Sequence, residues 1–142
     1  MPKGTSYASS VLALIFNATT FTNVAVNATS SPITSIFASL HVGTPGAGGN
    51  QSTNETTYTS YARVGVTRTS GGWTVTSNVV NPVAAITFPA GTGGSGTVDF
   101  FGLGSVTSGA GVLFYFGAVS PTIATGNGVT PSLSTATSVT ET

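Results

Sequence analysis

Residues Ser35-Ile-Phe-Ala-Ser-Leu-His-Val42 alternate along their length. Ile36, Ala38, Leu40 and Val42 share one face, and Phe37, Ser39 and His41 share the other. Successive side chains of a strand point to opposite faces, so a period of two marks β structure. The rhythm returns from Tyr61 to Arg68, where Ala62, Val64 and Val66 oppose Arg63, Gly65 and Thr67. Between the two lies Gly43-Thr-Pro-Gly-Ala-Gly-Gly-Asn50, whose glycines and proline exclude regular structure. Polar residues extend this connection to about Tyr58, and a connection that long usually carries contacts.

Downstream, Ser70-Gly71-Gly72 is a turn and Trp73-Thr-Val-Thr76 a strand. Ala84 to Phe88 forms a short strand closed by Pro89, and Gly91 to Gly96 forms a second glycine loop. Further strands are predicted at Val98–Leu103, Val112–Val119, Ile123–Thr125, Val129–Leu133 and Ala136–Thr140. Pro121 and Pro131 confine their surroundings to edge strands or bends. About eight short strands with turn signals every ~8–12 residues predict an all-β, jelly-roll-like antiparallel β-sandwich.

One segment departs from this pattern. Ala8, Val11, Leu12, Ile15 and Phe16 fall on one face of a helix, with Ser6 placed to cap its N-terminus. A short amphipathic helix must lie on something, either its own sandwich or a neighbouring subunit. The polar residues 17–32 read as loop or weak edge strand. The 142 residues suit a single domain, with 1–17 a helix or arm and 18–142 the sandwich. The apolar run Ala8–Phe16 superficially resembles a secretory signal, but Ser9 and Ser10 interrupt it and no small-x-small cleavage site ends it. It is read as part of the mature fold.

Charge is scarce. Lys3, Glu55, Arg63, Arg68, Asp99 and Glu141 are the full set, 4% of the chain, where ordinary domains carry about 25%. Ser, Thr, Gly and Asn take their place on the surface. So neutral a surface repels other copies weakly, which suits a subunit that is mostly covered.

The same scarcity excludes most chemistry. Paired-carboxylate catalysis has only Glu55 and Asp99 to draw on, since Glu141 stands next to the final residue. His41 is the sole histidine, and no Gly-x-Ser-x-Gly elbow accompanies it. It reads as a surface or interface residue. No cysteine is present, so neither a zinc site nor a disulfide framework can be assembled, and no cofactor or metal is expected. The glycine loops lack the Lys-Ser/Thr of a phosphate loop. Three positive charges balanced by three negative ones leave no basic stripe for nucleic acid. No apolar stretch reaches the length of a membrane-spanning helix.

The densest cluster is Asn54-Glu55-Thr-Thr-Tyr58-Thr-Ser-Tyr61-Ala62-Arg63. It reads first as an ion pair anchoring the loop, and alternatively as a subunit contact. Together with Val11, Leu12, Ile15 and Phe16 of the helix, Glu55, Tyr58, Tyr61 and Arg63 are the expected contact residues.

Several segments then carry a resemblance: Ser35–Val42, Asn54-Glu55, Tyr61-Ala-Arg-Val-Gly-Val66, Ala85-Ile-Thr-Phe-Pro89, Val98-Asp-Phe-Phe-Gly-Leu103 and Gly109-Ala-Gly-Val-Leu-Phe-Tyr-Phe-Gly-Ala118. In this order they resemble a family of small tailed-bacteriophage virion proteins. Its members are often labelled tail fibre proteins, and some relatives are capsid cement or decoration proteins of the Bordetella-phage type. The resemblance implies a jelly-roll-like sandwich, no catalytic residues and a structural role in the virion. Its cement branch implies a homodimer on the capsid exterior that clamps neighbouring capsomers of the major capsid protein. The alternative it implies is a tail or tail-fibre component that contacts the host.

Overall fold

The computed structural model describes residues 3–142. The chain groups into two compact units, each drawn from separated stretches of sequence. The first comprises residues up to Ser35, Val66–Ala85 and Leu133–Thr142, and the second Ile36–Gly65 and Ile86–Ser132. The elements are one helix, α1 (Thr5–Asn17), and nine strands among the described residues. These are β1 (Ser35–His41), β2 (Val64–Thr67), β3 (Trp73–Thr76), β4 (Val79–Pro82), β5 (Ile86–Thr87), β6 (Ser95–Gly104), β7 (Leu113–Gly126), β8 (Ser132–Leu133) and β9 (Val139–Thr140). The fold is all-β with one short N-terminal helix and antiparallel sheets, consistent with the expected sandwich class.

In the first unit α1 belongs with the three-stranded sheet β3-β4-β9. Ala8, Leu12 and Phe16 recur every four residues, so they stack on one side of the helix and are buried. Phe16 meets Trp73 of β3 edge to face, with ring centroids 4.8 Å apart. Burying two such aromatics stabilises the unit by roughly 1.5–3 kcal/mol each. Ser6 does not cap the helix. Gly4 occupies the N-cap position, and no side chain accepts from the first-turn amides.

The C-terminus of α1 is tied down from far along the chain. Ala18 closes it in the left-handed region, with φ 53°. The last-turn carbonyls of Leu14 and Ile15 then accept hydrogen bonds from the Arg68 guanidinium, Nη2 to Leu14 O at 2.7 Å and Nε to Ile15 O at 2.5 Å. Nη1 of the same side chain reaches the Ile33 carbonyl at 2.8 Å and Asn27 Oδ1 at 3.0 Å. A positive charge suits this end of the helix, where the backbone dipole is negative. Burial lowers the Arg68 pKa, and no carboxylate lies among the partners given above.

In the second unit the strand order β2-β1-β6-β7 makes β1 and β6 central. Both faces of β1 are buried as well: Ile36, Ala38 and Leu40 on one, Ser39 and His41 on the other. Register places Ser39 opposite Gly102 and Phe37 opposite Gly104. The two glycines leave room for side chains that a β-carbon would strike. At Gly102 that atom would lie 2.7 Å from both Ser39 Oγ and His41 Nε2, and at Gly104 it would meet the buried Gln51 side chain. β7 runs unbroken through Pro121, where a break was expected between 119 and 123. The proline is tolerated because β7 ends the sheet and its pairing with β6 lapses there, the register passing from Ala118 to Ile123 opposite Asp99.

Candidate functional site

The residues that sequence reading brought together meet in the second unit. After β1 the chain folds back along it: Val42 N donates to Asn54 O and Thr56 N to Leu40 O. This sets Glu55 against His41 across an isolated antiparallel bridge. Arg63 then grips Glu55 with two parallel bonds, Nε to Oε1 and Nη2 to Oε2, both 2.7 Å. Tyr61 Oη donates to Oε1 at 2.8 Å and accepts from Leu40 N at 3.1 Å. Arg63 also reaches the carbonyls of Val106 and Gly109, tying in the connection between β6 and β7.

Planar fork-to-fork pairing is the strongest form of ion pair. Here the Arg63 side chain is 2% exposed, so little solvent screens it. The carboxylate holds the Arg63 guanidinium above its usual pKa, and burial pushes the Tyr61 hydroxyl up. The arrangement is the loop anchor expected from the cluster. Glu55→Gln keeps the shape but removes the charge, and should lower stability by about 1–2 kcal/mol. Urea denaturation would measure this. Hydrogen exchange of residues 50–56 should quicken in the same variant.

His41 and Ser39 form a second arrangement. The Thr53 carbonyl, 2.8 Å from Nδ1, only accepts, so Nδ1 carries the ring proton. Nε2 then accepts from Ser39 Oγ at 2.9 Å. A serine bonded to an oriented histidine is the start of a nucleophile, but neither side chain has exposed surface and Gly102 closes over both. The pair is a buried staple between β1 and the loop, and His41 is not the surface or interface residue that its sequence position suggested.

Burial also lowers the His41 pKa from 6.5, more than its carbonyl partner raises it. The unfolded chain takes up a proton near pH 6.5 while the folded one resists. Stability is therefore full above that pH and falls below it, levelling off once folded His41 is protonated. Urea unfolding from about pH 7.5 down to about 5 should show this slope in the native chain and a flatter one in His41→Gln.

Of the remaining expected contact residues, Tyr58 joins this cluster, its ring edge to face with Tyr61 at 5.4 Å, and the helix residues lie in the first unit. Tyr58 is buried and donates from its hydroxyl to Pro89 O at 2.8 Å. Leu12 and Phe16 are fully buried in the first unit, while Val11 and Ile15 are half-buried. Arg68 as a clamp was not foreseen, because its partners are backbone carbonyls about 50 residues away. Among the described residues, no three His, Cys, Asp or Glu side chains come together as a metal site would require. Among the described residues, no helix is long and apolar enough to cross a membrane.

The charges that sequence counted are thus mostly internal. Glu55 pairs with Arg63 and Lys3 with Glu141. Arg68 is spent on carbonyls, and Asp99 is half-buried at an irregularity of β6. A comparison with family models matches residues 5–139 to the podophage GP4 fiber I protein gp80 family. The chain belongs to this family. It is a structural protein of a phage virion, and the resemblance expected from its strands holds at that level. No curated protein matches the chain. The family match gives the internal charges their setting: a virion subunit needs a rigid fold and surfaces that other proteins cover.

Proposed function

We propose that the chain is a fibre subunit of a tailed-phage virion, a non-catalytic building block whose surface is covered by neighbouring virion proteins. The observation that carries this reading is the match over residues 5–139 to a family named for a podophage fibre protein. The disposition of charge supports it. Of the charged side chains, Lys3 at 39% is well exposed, while Glu141, Glu55 and Arg63 are at 12%, 16% and 2%. Contact surfaces shed charge from their centres, because a desolvated charge without a partner is penalised.

A second reading is a capsid cement protein on the shell exterior, dimeric and bound to the major capsid protein. The same neutral surface and the doubly anchored loop at 43–63 favour it, since clamping capsomers demands rigid loops. Copy number in purified virions, measured by quantitative mass spectrometry, separates the two. Hundreds of copies with label over the whole head would overturn the fibre reading. Tens of copies or fewer, with label confined to fibres, would overturn the cement reading.

A further inference from the structure

Lys3 pairs with Glu141, Arg63 with Glu55, and Arg68 with three carbonyls and Asn27. Asp99 is the charge left over. Among the described residues, no hydrogen bond or ion pair reaches its carboxylate, and Oδ1 is buried without a donor. A carboxylate oxygen held out of water is penalised, and folded proteins ordinarily give it a partner. The side chain as a whole is half-buried, so part of it stays open to the surface. Its position comes from an irregularity of the sheet. Register pairs Val98 with Ile123 and Phe100 with Ala118, so Asp99 of β6 stands opposite residues 119–122 of β7. Bulges of this kind re-aim side chains. Ala118, Ser120, Pro121 and Thr122 are exposed along the stretch, as is Val42 just beyond the last β1–β6 pair, His41 with Phe100.

We infer that Asp99 is the docking point for a basic side chain, arginine or lysine, of a different virion protein. This deepens the proposed function by naming the contact chemistry, and rests on the chain's surface being covered by neighbours. Charge complementarity selects the occupant. A guanidinium or ammonium supplies the N–H donors that the carboxylate lacks, and its apolar stem suits the exposed Val42, Ala118 and Pro121. A second copy is a poor source of that charge, because its own bases are engaged. Freeing the buried Arg63 or Arg68 would strand Glu55 or four backbone and side-chain acceptors. Lys3 would only exchange Glu141 for an equivalent carboxylate. A divalent cation fits no better. Calcium takes about six to eight oxygen ligands, and no three His, Cys, Asp or Glu side chains gather among the described residues.

Asp99→Asn tests the idea, since it keeps the shape and removes the charge. In the isolated full chain it should raise the melting temperature by about 2–5 °C, because an unpaired charge leaves the fold. In phage carrying the same change, copies of the chain per purified virion should fall roughly tenfold or more, because the partner's base loses its carboxylate. The chain has no cysteine, so benzophenone maleimide on Ser120→Cys reports the neighbour. Irradiated virions should yield an adduct with a different protein. A melting temperature that fails to rise would show the charge already satisfied within the fold, and would overturn the inference. So would an undiminished copy number, or an adduct with a second copy or with nothing. EDTA lowering the melting temperature of the native chain but not of Asp99→Asn would assign the carboxylate to a divalent cation instead. The copy number and location of the native chain test the fibre reading separately.

Discussion

Arg68→Ala should lower the unfolding free energy by about 3–5 kcal/mol, because it strips the donors from four part-buried acceptors at once. The carbonyls of Leu14, Ile15 and Ile33 and the side-chain oxygen of Asn27 lose their guanidinium donor. Each group left buried and unpaired costs about 1–3 kcal/mol, partly recovered where water enters. For a chain of this size the melting temperature should drop by roughly 10–20 °C. Arg68→Lys keeps the charge but replaces a rigid fork with a point donor, and should recover less than half of the loss. Thermal unfolding followed by circular dichroism gives both values. A drop of under about 2 °C for Arg68→Ala would show that the fork does not hold the helix.

Gly102→Val should be equally damaging for a different reason. Any β-carbon at this position of central β6 lies 2.7 Å from Ser39 Oγ and His41 Nε2 and 2.8 Å from Leu113 Cδ1. Ser39 and His41 stand on central β1 and are fully buried, so they cannot step aside without breaking the Ser39–His41–Thr53 chain. Overpacking of this kind typically costs about 1–3 kcal/mol, and the two further methyls with a lost buried hydrogen bond bring the total to about 4. Gly102→Ala should fall in the lower range. Combining Gly102→Ala with Ser39→Ala opens space beside the new methyl and should restore part of the stability. Additive losses in that double variant would rule out the clash as the cause.

The fold was legible where physics is local. Alternation over Ser35–Val42 and four-residue spacing over Ala8–Phe16 yielded β1 and α1 within a residue or two. Glu55 and Arg63 were legible as a pair because so few charges exist that two within nine positions rarely fall there without purpose. The sequence of β4, Val79-Val-Asn-Pro82, carried no strand signal, since proline and asparagine read as a turn. It is held by β3 on one side and β9 on the other, a context no window of sequence contains. His41 looked external because alternation puts it on the second face of β1. That face is covered only through the folding-back of residues 51–56, which depends on pairing far from the strand.

The interleaving of the first unit bears on the order in which the protein can form. Its sheet pairs Val79 with Thr140 and Val80 with Val139, while its helix comes from residues 5–17. On the ribosome, α1 and the β3–β4 hairpin emerge early but wait for β9 until about sixty further residues have been made. The second unit ends at Ser132 and needs none of these last residues. Synthesis therefore favours completion of the second unit first, with the first unit closing last around a helix already in place. Contacts so distant in sequence slow the search for the native state. Until they form, the β9 side of β4 stays unpaired, and the newly made chain depends on chaperones or on speed to avoid joining the wrong neighbour.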